Sequence, residues 1–557
     1  MRKRSEKRAR GFIASETAIV RNKRQGRIRV NLIYPNRYHV GMSNLGFQTA
    51  YKIFNQIDGV VCERGFLAEK PGLKRPQTLE SNRPIGDTDI LAFSVSFEND
   101  YGNILQLLEQ AGIPPLAKDR NANHPLILAG GVACLLNPEP LAAFIDCFLI
   151  GEAEALLEPF IDWIEASGFF SGADRCTSLQ QCARRVPGTY VPAFYRTTYL
   201  SDGTIASTQP VCDVPAKVQR AYLQDINQAP TCSTVLTPHT TFGDTFLIEV
   251  GRGCAHGCRF CSAGYVYRPP RFRSPDVLKQ CILEATGYTD KVGLVGAAVS
   301  DLPGLTEVCR HGHNQALKIS FSSLRADSLN EDLLQALHDS GVKTATIAPD
   351  AGSQRMRQVI NKGIGEDQIL EAAEYLVVSG IPNLKLYFMI GLPTETMADV
   401  QDVVVLCKRI KYVFLKSSRA RKRIGEITVS VSCFVPKPFT PFQWAPMDDI
   451  GTLKQKIKMI KDGLKRVANV RVHADIPRWA NVQALLSRGD RKVADILSLA
   501  HTHGGNWPRT LKETPHNPDF YVLRRRFEDE ILPWDFIDHG VKKSFLYKEY
   551  QKALGAV

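Results

Sequence analysis

The chain has 557 residues, 44 % of them hydrophobic and 23 % charged, with a formal net charge of +13 at pH 7. That length exceeds what one hydrophobic core supports, and the composition is that of ordinary folded protein, which excludes a fibrous, wholly disordered or membrane-embedded chain. Fourteen cysteines are too dilute for a disulfide scaffold, no apolar run is long enough to cross a bilayer, and no apolar signal core follows the basic N-terminus, so the sequence reads as cytoplasmic.

The positive charge is concentrated. Residues 1–30 hold eleven Lys/Arg against two Glu, and residues 408–423 hold eight with no acid. A solvated tail and loop fit these two patches, and so does contact with RNA or another acidic macromolecule.

In chain order, a basic tail (1–26) precedes a region, 27–169, in which short apolar strands alternate with amphipathic helices. RIRVNLIYP (27–35), DILAFSVSF (89–97) and PLILAGGVAC (125–134) read as strands, and GFQTAYKIFNQI (46–57) and NILQLLEQAGI (103–113) have helical spacing. The pattern predicts a doubly wound, Rossmann-like parallel sheet whose ligands lie beyond the carboxyl ends of its strands. The loops at those ends carry His39, Gly130, Gly131 and Glu152.

Residues 170–243 change texture to alternating sequence with a DG turn and then Pro-rich linker, a β-rich insert. From 244 to 450 six βα units follow, which predicts a partial (β/α)6 TIM-like barrel with its chemistry at the C-terminal ends of the strands. The remainder, 451–557, opens with the charged helix TLKQKIKMIKDGLKRV and reads as mainly helical.

The segment GRGCAHGCRFCSAGYVYRPPRFRS (251–274) sets Cys254, Cys258 and Cys261 directly after the first strand of the barrel series. Thiolates bind soft metals, and three of them on a four-iron cluster leave one iron open. A closed zinc site needs a fourth ligand, and His256 inside the loop is poorly placed to supply it. A zinc loop and three purely structural cysteines are the alternatives.

This CxxxCxxC, with Phe260 before its last cysteine, resembles the radical S-adenosylmethionine (SAM) superfamily. The resemblance implies a 4Fe-4S cluster whose open iron holds the amino and carboxylate groups of SAM and cleaves it to a 5′-deoxyadenosyl radical. It also implies roles at the other strand ends. GAAVSD, with Gly296, Ser300 and Asp301, stands where the superfamily has a Gly-Gly-Glu-like segment for the SAM amino group, here without the glutamate. Ser323 and Arg325 then face the methionyl carboxylate, Asp350 and Ser353 the ribose or the reacting pocket, and Gly391 of GLPTET the adenine, with Glu395 just beyond it. Tyr265, Tyr267 and Arg268, with Arg271 and Arg273, either clamp the substrate at the reacting centre or brace the cluster loop.

A doubly wound domain ahead of such a barrel resembles the cobalamin-binding arrangement of the superfamily's methylating class. The first loop departs from the DxHxxG of proteins whose histidine ligates cobalt. His39 is in place, but Arg37 replaces the aspartate, which weakens an imidazole ligand. Gly130, Gly131 and Glu152 would line the nucleotide side. The implied reaction is methylation of an unactivated carbon, served by a flavodoxin- or ferredoxin-type electron donor. Two expectations compete with it. One is a cobalamin-free methylthiolation or rearrangement of RNA or protein, to which FVPKPFTPFQW (434–444) lends resemblance; the other is an RNA- or ribosome-associated protein with a structural cluster.

Overall fold

A computed structural model describes residues 11–20, 23, 25–69, 75–172, 174–321, 324–418 and 425–555. The first sheet contains β1 (Ile28–Tyr34), β2 (Val60–Phe66), β3 (Ile90–Ser94), β4 (Leu126–Gly130), β5 (Cys147–Leu149) and β6 (Thr189–Tyr190), in the spatial order β2-β1-β3-β4-β5-β6. The first five are parallel and β6 closes the edge antiparallel. This is the flavodoxin-like order, in which the chain leaves β1 for one edge and then returns past it, opening a crevice at the carboxyl ends of β1 and β3. The strands are buried on both faces, as a parallel sheet with helical cover requires. Helices α1 (Tyr38–Met42), α2 (Leu45–Gln56), α3 (Tyr101–Ala111) and α4 (Ala153–Ala166) supply part of that cover.

Strand β2 has no counterpart among the strands read from sequence. Its run VVCERGF is broken by Glu63 and Arg64, both buried, and a buried guanidinium is tolerated only when paired. Arg64 is held by Glu16 at 2.7 Å and Glu80 at 2.6 Å, partners 48 and 16 residues away in the chain.

The second series begins at β7 (Phe246–Glu249) and continues through β8 (Lys291–Val295), β9 (Lys318–Phe321), β10 (Thr344–Asp350), β11 (Asn383–Ile390) and β12 (Ile427–Cys433). All neighbours are parallel; β7-β8-β9 form one sheet, and a parallel bridge from Leu324 to Ile347 links it to the next, which begins at β10. A seventh strand, β13 (Val470–Ala474), pairs in parallel with β12. It lies in the stretch read as helical from sequence, because five residues directly behind a long amphipathic helix leave little periodic signal of their own. The helices used below are α5 (Pro275–Ala285), α6 (Gln354–Val359), α7 (Met397–Ser418), α8 (Ile450–Leu464), α9 (Pro477–Arg488) and α10 (Lys543–Gly555). The DG turn of the insert joins an antiparallel hairpin, Tyr195–Tyr199 with Ile205–Pro210. Among the described residues no helix is long and apolar enough to cross a membrane.

Candidate functional site

The carboxyl ends of the two strand series meet around one cavity of about 440 Å³. The first sheet contributes Ser94, Ser96, Gly130, Gly131 and Glu152; the cysteine loop and its neighbour strand contribute Arg252, Gly253, Ala263, Tyr267 and Gly296. Gly131 has φ +104°, and a Cβ there would stand 2.5 Å from the carbonyl oxygen of Val95, so the tight approach of strand ends requires glycine. Gly130 is different: its nearest neighbour to an added Cβ is Leu149 O at 3.5 Å. At Gly296 an added Cβ would stand 3.1 Å from Val250 Cγ2.

Cys254, Cys258 and Cys261 lie in the connection between the two strands of a short antiparallel pair, Gly251–Arg252 with Arg271–Phe272, that continues from β7. The Cys261 amide donates to the Cys258 carbonyl at 3.1 Å. Burial pushes the Cys258 thiol up to about 11 while the nearby Lys362 charge works against the rise. Cys254 and Cys261 are also raised by burial, but the His256 amide donates to the first sulfur and the Ala263 and Gly264 amides to the second, which favours the thiolates. Cys261 lies close enough to each of the other two for their charges to interact. Amide donors on neighbouring cysteine sulfurs suit an iron-sulfur cluster, which takes its thiolates at separate corners. Among the described residues no group of three or more His, Cys, Asp or Glu is arranged to hold a single metal ion, the three cysteines included.

The loop is held from several directions. His256 Nε2 meets Asp301 Oδ2 at 2.6 Å, tying the cysteines to the loop after β8. Tyr265, buried, donates its hydroxyl to Gly257 O at 3.1 Å, and Asn361 Nδ2 donates to the same carbonyl at 3.0 Å. Arg259 donates to Gln358 O and Val359 O at the end of α6 and pairs with Glu549 of α10 at 3.1 Å. Arg268 Nε donates to Gly264 O at 2.6 Å, with its guanidinium 5.6 Å from the Tyr265 ring centroid. Phe260 packs half-buried against the core.

Arg252, two residues before Cys254, forms the cavity's ionic wall: it pairs with Glu152 at 2.9 Å, Glu154 at 2.9 Å and Glu249 at 2.8 Å. Burial alone would raise the Glu154 carboxyl, but the charge and hydrogen bonds of Arg252 outweigh it and hold it below its usual value. Arg271 pairs with Glu152 at 2.5 Å and Arg273 with Glu249 at 2.7 Å, both buried. Arg271 is thereby a strut between the strand series, whereas Arg273 ties β7 to the linker before it through Ile226 O, Ala229 O and Thr231.

The other sequence-derived candidates fall into three groups. Arg325 pairs with Asp327 at 2.8 Å and its charge is felt at Cys258; Asp350 ends β10 at φ +63° and pairs with Lys362. Left-handed backbone at a non-glycine residue is uncommon and is concentrated at functional positions. Ser300 Oγ is buried with no partner in the described structure. The second group points elsewhere: Gly391 donates its amide to Glu395 at 2.7 Å, Glu395 pairs with Lys456 at 2.8 Å, and Ser353 caps α6 while donating to Asp399 at 2.7 Å. His39 is exposed on α1 and is not among the residues lining the cavity. Ser323 lies outside the described residues, as do residues 1–10 of the basic N-terminal tail and residues 419–424.

Sequence reading missed Arg252, Arg259, Asn361 and Lys362. Arg252 and Arg259 stand within or beside the cysteine motif, where a basic residue in buried loop sequence is a signal; Asn361 and Lys362 carry none, since their partners lie 104 and 12 residues away.

Two family profiles match the chain: "Radical SAM proteins, N-terminal" over residues 46–192 and "Radical SAM superfamily" over residues 248–407. An uncharacterised protein of Methanocaldococcus jannaschii is 31 % identical over 477 residues, covering 85 % of this chain and 91 % of that one. An uncharacterised methyltransferase of Pyrococcus horikoshii is 22 % identical, over 54 % of this chain and 61 % of its own. Among solved structures, the radical SAM methyltransferase TsrM from Kitasatospora setae, with cobalamin and a [4Fe-4S] cluster bound, aligns over 88 % of this chain and 100 % of its own with TM-score 0.50 and 10 % identity, a likeness of fold. With its cysteine loop at the carboxyl end of the first barrel strand and these matches on both strand series, the chain belongs to the radical SAM superfamily.

Proposed function

We propose that the protein is a cobalamin-dependent radical SAM methylase acting on an unactivated carbon. The observation that carries this reading is the shared cavity: residues from the carboxyl ends of the flavodoxin-like sheet and residues of the cysteine loop line the same space. In this reading residues 27–169 hold the corrinoid, 244–450 hold the cluster and SAM, and 451–557 close the assembly.

When bound, the cluster supplies the electron that splits SAM into methionine and a 5′-deoxyadenosyl radical, and the corrinoid supplies the methyl group. The chain's own residues hold, orient and shield. Cys254, Cys258 and Cys261 ligate the cluster, and Phe260 packs beside it. Gly296, Ser300, Asp301, Arg325 and Asp350 form the polar rim for the amino, carboxylate and ribose groups of SAM, with Lys362 keeping Asp350 in place. Gly130 and Gly131 offer a flat, side-chain-free surface to the corrinoid, and Glu152, fixed by Arg252 and Arg271, marks its edge. Tyr265 and Arg268 brace the loop, whereas Tyr267, which lines the cavity, is in this reading the residue of that trio that touches a reactant. An external flavodoxin- or ferredoxin-type donor supplies the electrons.

The test is anaerobic reconstitution with iron, sulfide and cobalamin, followed by SAM and a reductant. Wild type is expected to give 5′-deoxyadenosine and corrin absorbance that survives gel filtration. Cys258→Ala is expected to lose the cluster absorbance and the deoxyadenosine while keeping the corrin. Deoxyadenosine that persists in the variant removes the cluster site. A loaded, SAM-cleaving wild type that retains no corrin removes cobalamin and leaves the radical SAM chemistry standing.

A further inference from the structure

The outer wall of the second strand series carries a line of unpaired positive charge. On α8 and its C-cap, Lys454, Lys458, Lys461 and the capping Lys465 are exposed at spacings of four, three and four, which puts all four on one helix face over a length of roughly 16 Å. None of the four forms an ion pair with a described residue, and Asp462 is the one acid on α8. The adjoining helix α7, against which Gly463 packs through Val404, exposes Lys408, Lys416 and Tyr412, the last 71 % accessible.

The line has a direction. Helix α8 joins the parallel strands β12 and β13, so it runs back from their carboxyl ends: Lys454 lies toward the catalytic face and Lys465 away from it. Strand β13 then returns along the edge of its sheet with His473 exposed and with Arg471 exposed but paired to Glu426 at 2.6 Å, and the exposed Asp475 follows it. Just past its carboxyl end stand Ile476, Arg478 and Trp479, all exposed. Helix α9 docks there on the loop after β3, Gln483 donating to Glu98 at 2.9 Å, next to exposed Phe97. A basic track thus leads to two exposed aromatic rings, Trp479 and Phe97, at the rim where the carboxyl ends of both strand series meet.

We infer that this track binds a structured RNA, with lysines of α8 on the phosphate backbone and Trp479 stacking an unpaired base near the rim. Evenly spaced, unpaired cations match a polyanion, exposed aromatics match unstacked bases, and an RNA in which a duplex adjoins a loop offers both. An acidic electron-donor protein has the charge but not the place: it must approach the cysteine loop after β7, whereas the track follows β13 at the other end of the strand series. The inference goes beyond the proposed methylation and is read by binding without turnover, so either can fail while the other stands.

The experiment is fluorescence anisotropy of labelled unfractionated tRNA, against a DNA stem-loop of matched length, titrated with the full chain at several salt concentrations. The quadruple variant Lys454→Gln/Lys458→Gln/Lys461→Gln/Lys465→Gln is compared with Lys118→Gln/Lys217→Gln/Lys512→Gln/Lys548→Gln, which changes charge equally at exposed sites elsewhere. The α8 variant is expected to bind tRNA about tenfold or more weakly and to lower the slope of log K against log salt by roughly three to four, with the control near wild type. Trp479→Ala is expected to weaken binding about fivefold or more with the salt slope unchanged. Equal losses in the two quadruple variants, no loss in the α8 variant, or equal affinity for the DNA stem-loop overturns the proposal. So does an α8 variant that keeps tRNA affinity but is reduced more slowly by a flavodoxin, which assigns the track to an acidic protein.

Discussion

The cavity has two unlike walls. On the sheet side its lining includes Ser94, Ser96, Ala129, Gly130 and Gly131, small residues at strand ends that form a flat stretch flanked by the apolar Leu45, Phe54 and Leu135. On the barrel side Arg252 stands among three carboxylates, and every nearby cation has a partner inside the protein. A flat wall selects by shape and tolerates a broad planar ligand, whereas an ion-paired wall is fixed in position and cannot give way to one. The two strand series meet through that second wall, so its charges hold the cavity's geometry more than they hold a ligand.

The largest effect follows from removing the charge at its centre. Arg252→Met leaves Glu152, Glu154 and Glu249 packed together with one cation fewer, and unpairing a buried ionic group costs about 3–5 kcal/mol. Chemical denaturation is expected to show that loss, together with weaker corrin retention because Glu152 shifts. A variant as stable as wild type would mean that the wall is held by packing alone.

How much of this could be read beforehand depended on how local each signal was. Three cysteines within eight positions and two glycines at a strand end are short-range patterns, and each is placed at the cavity or beside it. Glu152 was legible as a strand-end residue, but its partners Arg252 and Arg271 lie 100 and 119 residues further on, and no periodicity reports such a pairing. Glu395 looked like part of a ligand turn because the sequence of GLPTET does not show that Lys456, 61 residues later, takes its charge. Strand β2 was hidden by the buried charges of Glu63 and Arg64 for the same reason: a charged dipeptide looks like surface until its distant partners are known.

The sheet wall has an uncharged brace of its own. His539 is buried, donates from Nε2 to the carbonyl of Leu135 at 2.9 Å and meets the Phe439 ring edge-on at 4.2 Å, leaving Nδ1 without a partner; Leu135 lines the cavity. Burial and the nearby Arg220 charge push this imidazole from 6.5 down to about 3. The folded chain therefore prefers it neutral. The stability it contributes is complete above pH 6.5, declines as pH falls from 6.5 toward 3, and declines no further below that. Between pH 6.5 and 5 the loss is roughly 2 kcal/mol. His539→Gln, which keeps a donor for Leu135, is expected to shrink the difference between denaturant midpoints at pH 7 and pH 5. An unchanged difference would assign the acid sensitivity to other groups.

A smaller effect probes the flat wall directly. Gly130 has ordinary backbone geometry and room for a Cβ, whereas Gly131 has neither. Gly130→Leu therefore intrudes on the cavity without forcing the backbone, and is expected to weaken corrin retention about tenfold or more, in line with the roughly 1–3 kcal/mol that overpacking costs. Cluster absorbance and thermal stability are expected to stay near wild type. Loss of the cluster along with the corrin would show that the two walls are coupled and not independent.

The smallest expected effect is none at all, and it falls on the residue that sequence comparison with histidine-ligated cobalamin proteins singles out. His39 sits exposed on α1 while the cavity is lined from neighbouring segments, Asn44, Leu45 and Gly46 among them, that include no histidine. If this cavity holds a corrinoid as proposed, its lining residues would offer the cobalt no imidazole. His39→Ala is expected to leave corrin retention, the visible spectrum and the electron paramagnetic resonance of the reduced cobalt unchanged. Loss of nitrogen hyperfine splitting in that variant would place His39 on the metal, and the first loop would have to move inward by refolding α1 when the cofactor enters.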